Sequence, residues 1–260
     1  MPSRRRVFLP LLSLTALVTA VGCAPPPDLD ASDRLDALLL GADAYPTGFT
    51  VQTVDTGDLA DLDGTAVSGA SFDRVEPAEC ADAVDGGAAA LPVGAVEGAG
   101  QVATASAPPL VYTYVLVSGD FPEGGAAVPG WSELLERCSE TTVATEAFEA
   151  HGGLTAEGSP SLPEGGGMFA MSLTGDGVDL FSRAAWGQVG DVYFVLMSLD
   201  LDPAPEVSTP ELVDACIEDP ADTDCVGEQR RELADQARAE AAAEFESVLS
   251  RAVDTLEEGA

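Results

Sequence analysis

The sequence predicts an α+β fold, a mainly antiparallel sheet flanked by helices in an α/β sandwich, with a long C-terminal helix. Three observations predict it. Met168 to Leu173, Val178 to Trp186 and Val192 to Leu199 are short apolar runs parted only by Thr174-Gly175-Asp176-Gly177 and Gly187-Gln188-Val189-Gly190, the spacing of an antiparallel meander. Val111 to Val117 (VYTYVLV) is apolar and β-prone throughout, as a central strand covered on both faces should be. Leu233, Ala237, Ala241, Phe245, Val248, Leu249, Ala252 and Leu256 recur at helical steps, which predicts a helix over about Glu228 to Leu256. The simplest role for that stripe is packing on the sheet; docking a partner is the other.

The remaining elements follow in chain order. Residues 1–22 read as an export signal: Arg4-Arg5-Arg6 precede an apolar run, Val7 to Val21, too short and too interrupted by Pro10 to span a bilayer comfortably. Arg5-Arg6-Val7-Phe8-Leu9 fits twin-arginine export, and an arginine-rich general secretory signal fits equally well. Ala20-Val21-Gly22-Cys23 has the small residues before cysteine of a bacterial lipobox, with Ala20 where leucine is usual. Cys23 is therefore the expected lipidation site and the new N-terminus. Its acyl chains would anchor the protein to the outer face of the cell membrane by hydrophobic transfer. Residues 23–32, with Pro25-Pro26-Pro27, suit an extended tether. Residues 33–260 then form a single domain.

Within it, Asp33 to Leu40 should be a short helix, with Leu35, Leu38 and Leu39 on one face. Tyr45-Pro46-Thr47-Gly48-Phe49 turns into a strand at Thr50 to Val54. A second strand is expected at Val67 to Val75, a helix from Ala78 to Val84 behind Pro77, and a strand near Gly100 to Ser106. Trp131 to Cys138 carries Trp131, Leu134, Leu135 and Cys138 at helical spacing. A short helix is expected at Pro210 to Cys216.

The charge balance excludes whole function classes. Eleven arginines, no lysine and 45 acidic residues leave an exported chain with eight cations against 45 anions, near −37. Such a surface repels nucleic acid and anionic headgroups. Without lysine there is no Schiff-base chemistry and no lysine phosphate clamp. The excess acid suits solvation of the surface better than a specific site.

Beyond Cys23 there are four cysteines, Cys80, Cys138, Cys216 and Cys225. An even number in an exported chain implies two disulfides, and three connectivities are open. Proximity favours Cys216 with Cys225, which leaves Cys80 with Cys138. A zinc site is the poorer reading, because no Cys-x-x-Cys occurs.

Motifs for catalysis are sparse, and the chain is expected not to be an enzyme. Asp55-Thr56-Gly57 has the local form of an aspartic protease, but no second copy supplies the other carboxylate. His151, the only histidine, lies beside Gly152-Gly153 in an expected loop and reads as an exposed bystander. There is no Gly-x-Ser-x-Gly elbow. Asp58, Asp61 and Asp63 before Gly64 begin like a calcium loop, but Leu59 and Ala70 occupy two ligand places. Glu218, Asp219, Asp222 and Asp224 are better read as a solvated loop than as a metal site. No cofactor or metal is expected.

The lipobox, the Pro-rich tether, the Leu-rich helix, Tyr45 to Phe49, Val75-Glu76-Pro77-Ala78-Glu79-Cys80-Ala81, the cysteine after Trp131 and the meander ending in Val192-Tyr193-Phe194-Val195 form a pattern. It resembles the actinobacterial lipoproteins related to the extracellular sensor domain of the PknH receptor kinase. The resemblance spans most of the exported chain, and Val-x-Pro-x-x-Cys-Ala is its most specific segment. It implies a disulfide-linked α/β sandwich with a cleft for an extracellular ligand, and no catalytic residues. The chain departs from that family in its acidity, in the long helix after Cys225, and in having neither kinase nor transmembrane segment. The resulting expectation is a non-catalytic, membrane-anchored sensor-like protein binding a small molecule, lipid or envelope component. Tyr112, Tyr114, Trp186 and Phe194 are the candidate lining of its cleft, with core packing as their competing role. The alternative is an interaction protein that docks an envelope protein through its last helix or its acidic surface.

Overall fold

A computed structural model describes residues 31–54, 72–84, 92, 95–105, 110–121, 131–175, 178–200, 216 and 223–259. Among them, nine strands form one sheet: β1 (Thr50–Val54), β2 (Arg74–Glu76), β3 (Ala95–Thr104), β4 (Leu110–Gly119), β5 (Thr141–Ala144), β6 (Glu149–Glu157), β7 (Gly167–Gly175), β8 (Val178–Val189) and β9 (Val192–Asp200). Their order is β1-β3-β4-β9-β8-β7-β6-β5-β2, and every neighbouring pair is antiparallel. The helices are α1 (Ala31–Asp36), α2 (Ala81–Val84), α3 (Trp131–Arg137) and α4 (Thr223–Gly259), 37 residues long. The fold class is the α+β one that the sequence predicts.

The sheet has a covered core on each face. Period-two alternation sends Tyr112, Tyr114 and Leu116 of β4 and Phe194 and Leu196 of β9 to one side. There they meet Leu35, Leu38 and Leu40 from the N-terminal segment and Phe245, Val248, Leu249, Ala252, Val253 and Leu256 of α4. Val115, Val117, Tyr193, Val195 and Met197 point the other way, against Cys80, Ala83, Val84, Leu135 and Cys138. We refer to these as the helix face and the disulfide face. A strand buried on both sides cannot alternate apolar with polar, which is why VYTYVLV reads as a continuous apolar run.

The meander holds, with its second connection shorter than expected. Strands β8 and β9 run on until Val189 pairs with Val192, leaving only Gly190-Asp191 as the turn. Gly190 takes φ +59°, a left-handed value that costs glycine nothing and suits the first central position of a tight hairpin turn. Asp191 in that turn accepts two hydrogen bonds from the Arg34 guanidinium, at 2.6 and 3.1 Å, and this pairing holds its carboxyl below the usual range.

Several elements differ from expectation. The opening helix stops at Asp36, and tighter bonds from Leu38 N–H to Leu35 O and Leu39 N–H to Asp36 O follow it. That tightening turns Leu40 inward and leaves Leu39 half-buried. Strand β3 begins at Ala95, five residues before the expected start. Of the second expected strand, Val67 to Val75, residues 67–71 lie outside the described residues, Phe72 and Asp73 are not in a strand, and β2 runs from Arg74 to Glu76. The helix expected behind Pro77 is a 3-10 turn, Ala78–Cys80, running into α2. Helix α4 starts at Thr223 and so takes in Cys225.

The largest correction is at β5 and β6, where a loop around His151 was expected. Gly152 and Gly153 sit inside β6 because other backbone passes too close for a side chain. A β-carbon would lie 1.8 Å from the Ser172 carbonyl oxygen at Gly152, and 2.0 Å from that of Ser139 at Gly153. The signal, Cys23 and residues 24–30 of its tether, the Asp55 and Asp58–Gly64 motifs and nearly all of the helix expected at Pro210 to Cys216 lie outside the described residues, while the last two tether residues, Ala31 and Ser32, belong to α1. No helix among the described residues is long and apolar enough to cross a membrane.

Candidate ligand-binding site

The disulfide face is tied down by its cysteines. Cys80 and Cys138 are bonded, with Cα atoms 5.7 Å apart, and both are fully buried. The bond joins the turn before α2 to the residue that follows α3. The Cys138 carbonyl also accepts from Leu154 N–H at 2.8 Å and from the Thr141 hydroxyl at 3.0 Å. Helix α3 is thereby fixed over β5 and β6, and its first residue, Trp131, is laid on the sheet. Cys216 and Cys225 form the second disulfide, at the start of α4, with Cα atoms 6.1 Å apart.

Trp131 lands on an aromatic cluster. Its ring meets Trp186 at 4.9 Å between centroids and 83°, edge to face, and meets Phe169 at 5.4 Å. Phe169 and Trp186 are 6.2 Å apart. Offset and edge-on pairs at these distances are the favourable arrangements of ring quadrupoles. Trp186 itself lies against Gly167, its direct partner across β7 and β8. Two residues along β8 on the same face stands Gln188, paired with Tyr193 of β9, whose ring is 6.3 Å from Phe121.

Three buried polar atoms in this group have no hydrogen-bond partner among the described residues: Trp131 Nε1, Gln188 Oε1 and the Tyr193 hydroxyl. Gln188 uses its amide nitrogen on the Gly190 carbonyl at 2.9 Å, which leaves the oxygen over. Tyr193 is 1% exposed, and burial raises its phenol above the ordinary range, so it stays protonated. An unpaired buried polar group costs on the order of 1–3 kcal/mol. The three lie towards one end of the sheet, with half-buried Phe121 and Trp131 beside them; Glu97 Oε2 and the Tyr114 hydroxyl, outside this group, are likewise buried without a partner among the described residues.

This site is not the cleft lining expected from the sequence. Trp186 belongs to it, but Tyr112, Tyr114 and Phe194 point to the helix face. The sheet stands between them and Trp186, so the four cannot line one cleft. Tyr112 stacks on Phe245 of α4 at 6.4 Å and 17°, and Phe194 covers Gly187 beneath it. All three are 1% exposed or less and pack in the core. Phe121, Trp131, Phe169, Gln188 and Tyr193 were not singled out as site residues. The signal that would have found Gln188 and Tyr193 is their two-residue spacing from Trp186 and from Val195 on one sheet face.

His151 and Arg183 both have partners elsewhere on the sheet. His151 is exposed on β6, with Nδ1 2.9 Å from the Thr142 hydroxyl and Nε2 3.5 Å from Glu149. Arg183 is buried on the helix face, paired with Glu157 at 2.9 Å and lying 4.4 Å over the Phe181 ring. Among the described residues, no three His, Cys, Asp or Glu side chains converge as a metal site.

No protein-family model matches the chain, and no curated protein matches it. Among solved structures it is similar to the extracellular domain of PknH from Mycobacterium tuberculosis, at 13% identity and TM-score 0.43, over 81% of this chain and 97% of that one. It is also similar to an Rv0999 ortholog from Mycobacterium smegmatis, at 13% identity and TM-score 0.37, over 82% and 97%. CalU16 from Micromonospora echinospora follows, at 15% identity and TM-score 0.23, over 57% and 97%. Likenesses this distant specify neither a ligand nor a role.

Proposed function

We propose that the protein is a non-catalytic, sensor-like binding protein held outside the cell membrane by a lipid on Cys23, with a small molecule as its ligand at the aromatic site. The observation that supports this is the Tyr193 hydroxyl, buried without a partner among the described residues, beside Gln188 and next to the Trp131–Trp186 aromatic group. The anchor is supported by the lipobox, and the extracytoplasmic address by two disulfides, which persist in oxidising compartments.

Two measurements test it. Labelled fatty acid should enter the protein in its own host and be lost in Cys23→Ala. Native mass spectrometry of the Cys23→Ala protein from that host should show a bound small molecule, absent from Tyr193→Phe. A stoichiometric protein in its place would support the envelope-partner alternative and sink this reading. That alternative loses much of its surface, because the stripe from Phe245 to Leu256 is covered by the sheet.

A further inference from the structure

Resting on that reading, we infer that the ligand is an uncharged ring compound bearing an oxygen acceptor and a hydroxyl or amide donor. The six side chains of the site, Phe121, Trp131, Phe169, Trp186, Gln188 and Tyr193, include no acid, arginine or histidine. A charge brought among them would lose its hydration and gain no counter-charge from these six. An anion would in addition approach against a strongly negative surface.

A cation is the harder case, because the acidic surface would attract it and aromatic faces can hold it. The geometry argues against it. Trp131 and Trp186 meet edge to face, so one indole face is already covered by the edge of the other. The Trp131 N–H is a donor only, and its positive end would repel a cation.

The unpaired atoms state the rest of the complement. Trp131 N–H and the Tyr193 hydroxyl have hydrogens to give, so they call for a carbonyl or hydroxyl oxygen. Gln188 Oε1 only accepts, so it calls for a donor on the same molecule. The half-buried rings of Phe121 and Trp131 offer apolar surface to a flat ring.

Three probes of one shape separate the charge classes at neutral pH: 4-hydroxybenzamide, 4-hydroxybenzoate and 4-hydroxybenzylamine. The chain has only two tryptophans, both in this site, so its two indole N–H signals in a nitrogen-15 NMR spectrum of the Cys23→Ala protein report on it directly. The amide probe should shift the Trp131 signal and bind about tenfold more tightly than either ion, and Tyr193→Phe should weaken it by about tenfold. If the ammonium or the carboxylate probe binds as well as the amide or better, the ligand class is wrong and the site stands. If none of the three moves either indole signal, the binding site itself is refuted.

Discussion

The Trp186 ring fills the space that a β-carbon on Gly167 would need, with Cζ2 2.3 Å from that position. The two residues are direct partners across β7 and β8, so the indole uses the missing side chain of its neighbour as its seat. Gly167→Ala should therefore push Trp186 off the sheet and disturb its contacts with Trp131 and Phe169. Overpacking of this kind costs roughly 1–3 kcal/mol. Thermal unfolding should show that loss together with altered tryptophan emission. Gly158→Ala, where a β-carbon meets nothing within 4 Å, should leave both within experimental error of the parent.

Alkaline unfolding should be driven by tyrosine. All four tyrosines, Tyr45, Tyr112, Tyr114 and Tyr193, are buried, and burial raises each phenol above its usual value. Tyr45 is pushed up to about 12, even though Gln101 donates to its oxygen at 2.5 Å and favours the phenolate. The folded protein then keeps a proton that the unfolded chain releases near pH 10. The sign follows: this stability is whole below pH 10 and is lost as pH rises through 10 to 12. For Tyr45 alone it amounts to about 3 kcal/mol, since each tenfold gain in proton affinity on folding is worth about 1.4 kcal/mol. There is no lysine to titrate in the same range. Absorbance at the phenolate band should rise for all four together with loss of the fold. Ionisation of even one tyrosine near pH 10 in folded protein would contradict the burial described.

The meander and the last helix were legible because apolar period and turn residues announce them locally. Strands β5 and β6 were not, because Gly152 and Gly153 look like loop glycines until the Ser172 and Ser139 carbonyls that demand them are in place. The site failed for a related reason. Whether Trp186 shares a face with Phe194 or with Val195 depends on the number of residues in the β8–β9 turn. The expected strand ends, Trp186 and Val192, leave five residues between them, an odd number that would put Trp186 on the face of Phe194. The two-residue turn pairs Trp186 with Val195 and sends it away from Phe194. A shift of one residue in a turn decides which residues can meet a ligand.

Helix α4 should be energetically uneven along its length. Phe245 is fully buried and stacked on Tyr112, whereas Leu233, Ala237 and Ala241 of the same stripe are only half-buried. Phe245→Ala should cost about 3–5 kcal/mol, as truncation of a buried aromatic does. Leu233→Ala should cost about 1 kcal/mol, on the scale of partly lost apolar burial. Urea unfolding of the two variants measures the contrast. Equal costs would mean that the whole stripe is buried alike, against the exposure seen from Leu233 to Ala241.

The two disulfides should separate stability from binding. In the chain-entropy picture a cross-link stabilises by restricting the unfolded chain, so the longer loop matters more. Cys80 and Cys138 are 58 residues apart, and Cys216 and Cys225 are 9 apart. Removing the first pair as Cys80→Ala with Cys138→Ala should cost about 4 kcal/mol, and removing the second pair likewise about 2.5 kcal/mol. The first pair also fixes the end of α3, and α3 sets Trp131 on Trp186. Its loss should therefore abolish the Trp131 response to 4-hydroxybenzamide even under conditions where the variant remains folded. The second pair lies at the start of α4, which packs on the opposite face of the sheet, so its loss should weaken the fold and leave that response intact. Loss of binding in both variants alike would show that the site depends on global stability and owes nothing specific to the Cys80–Cys138 bond.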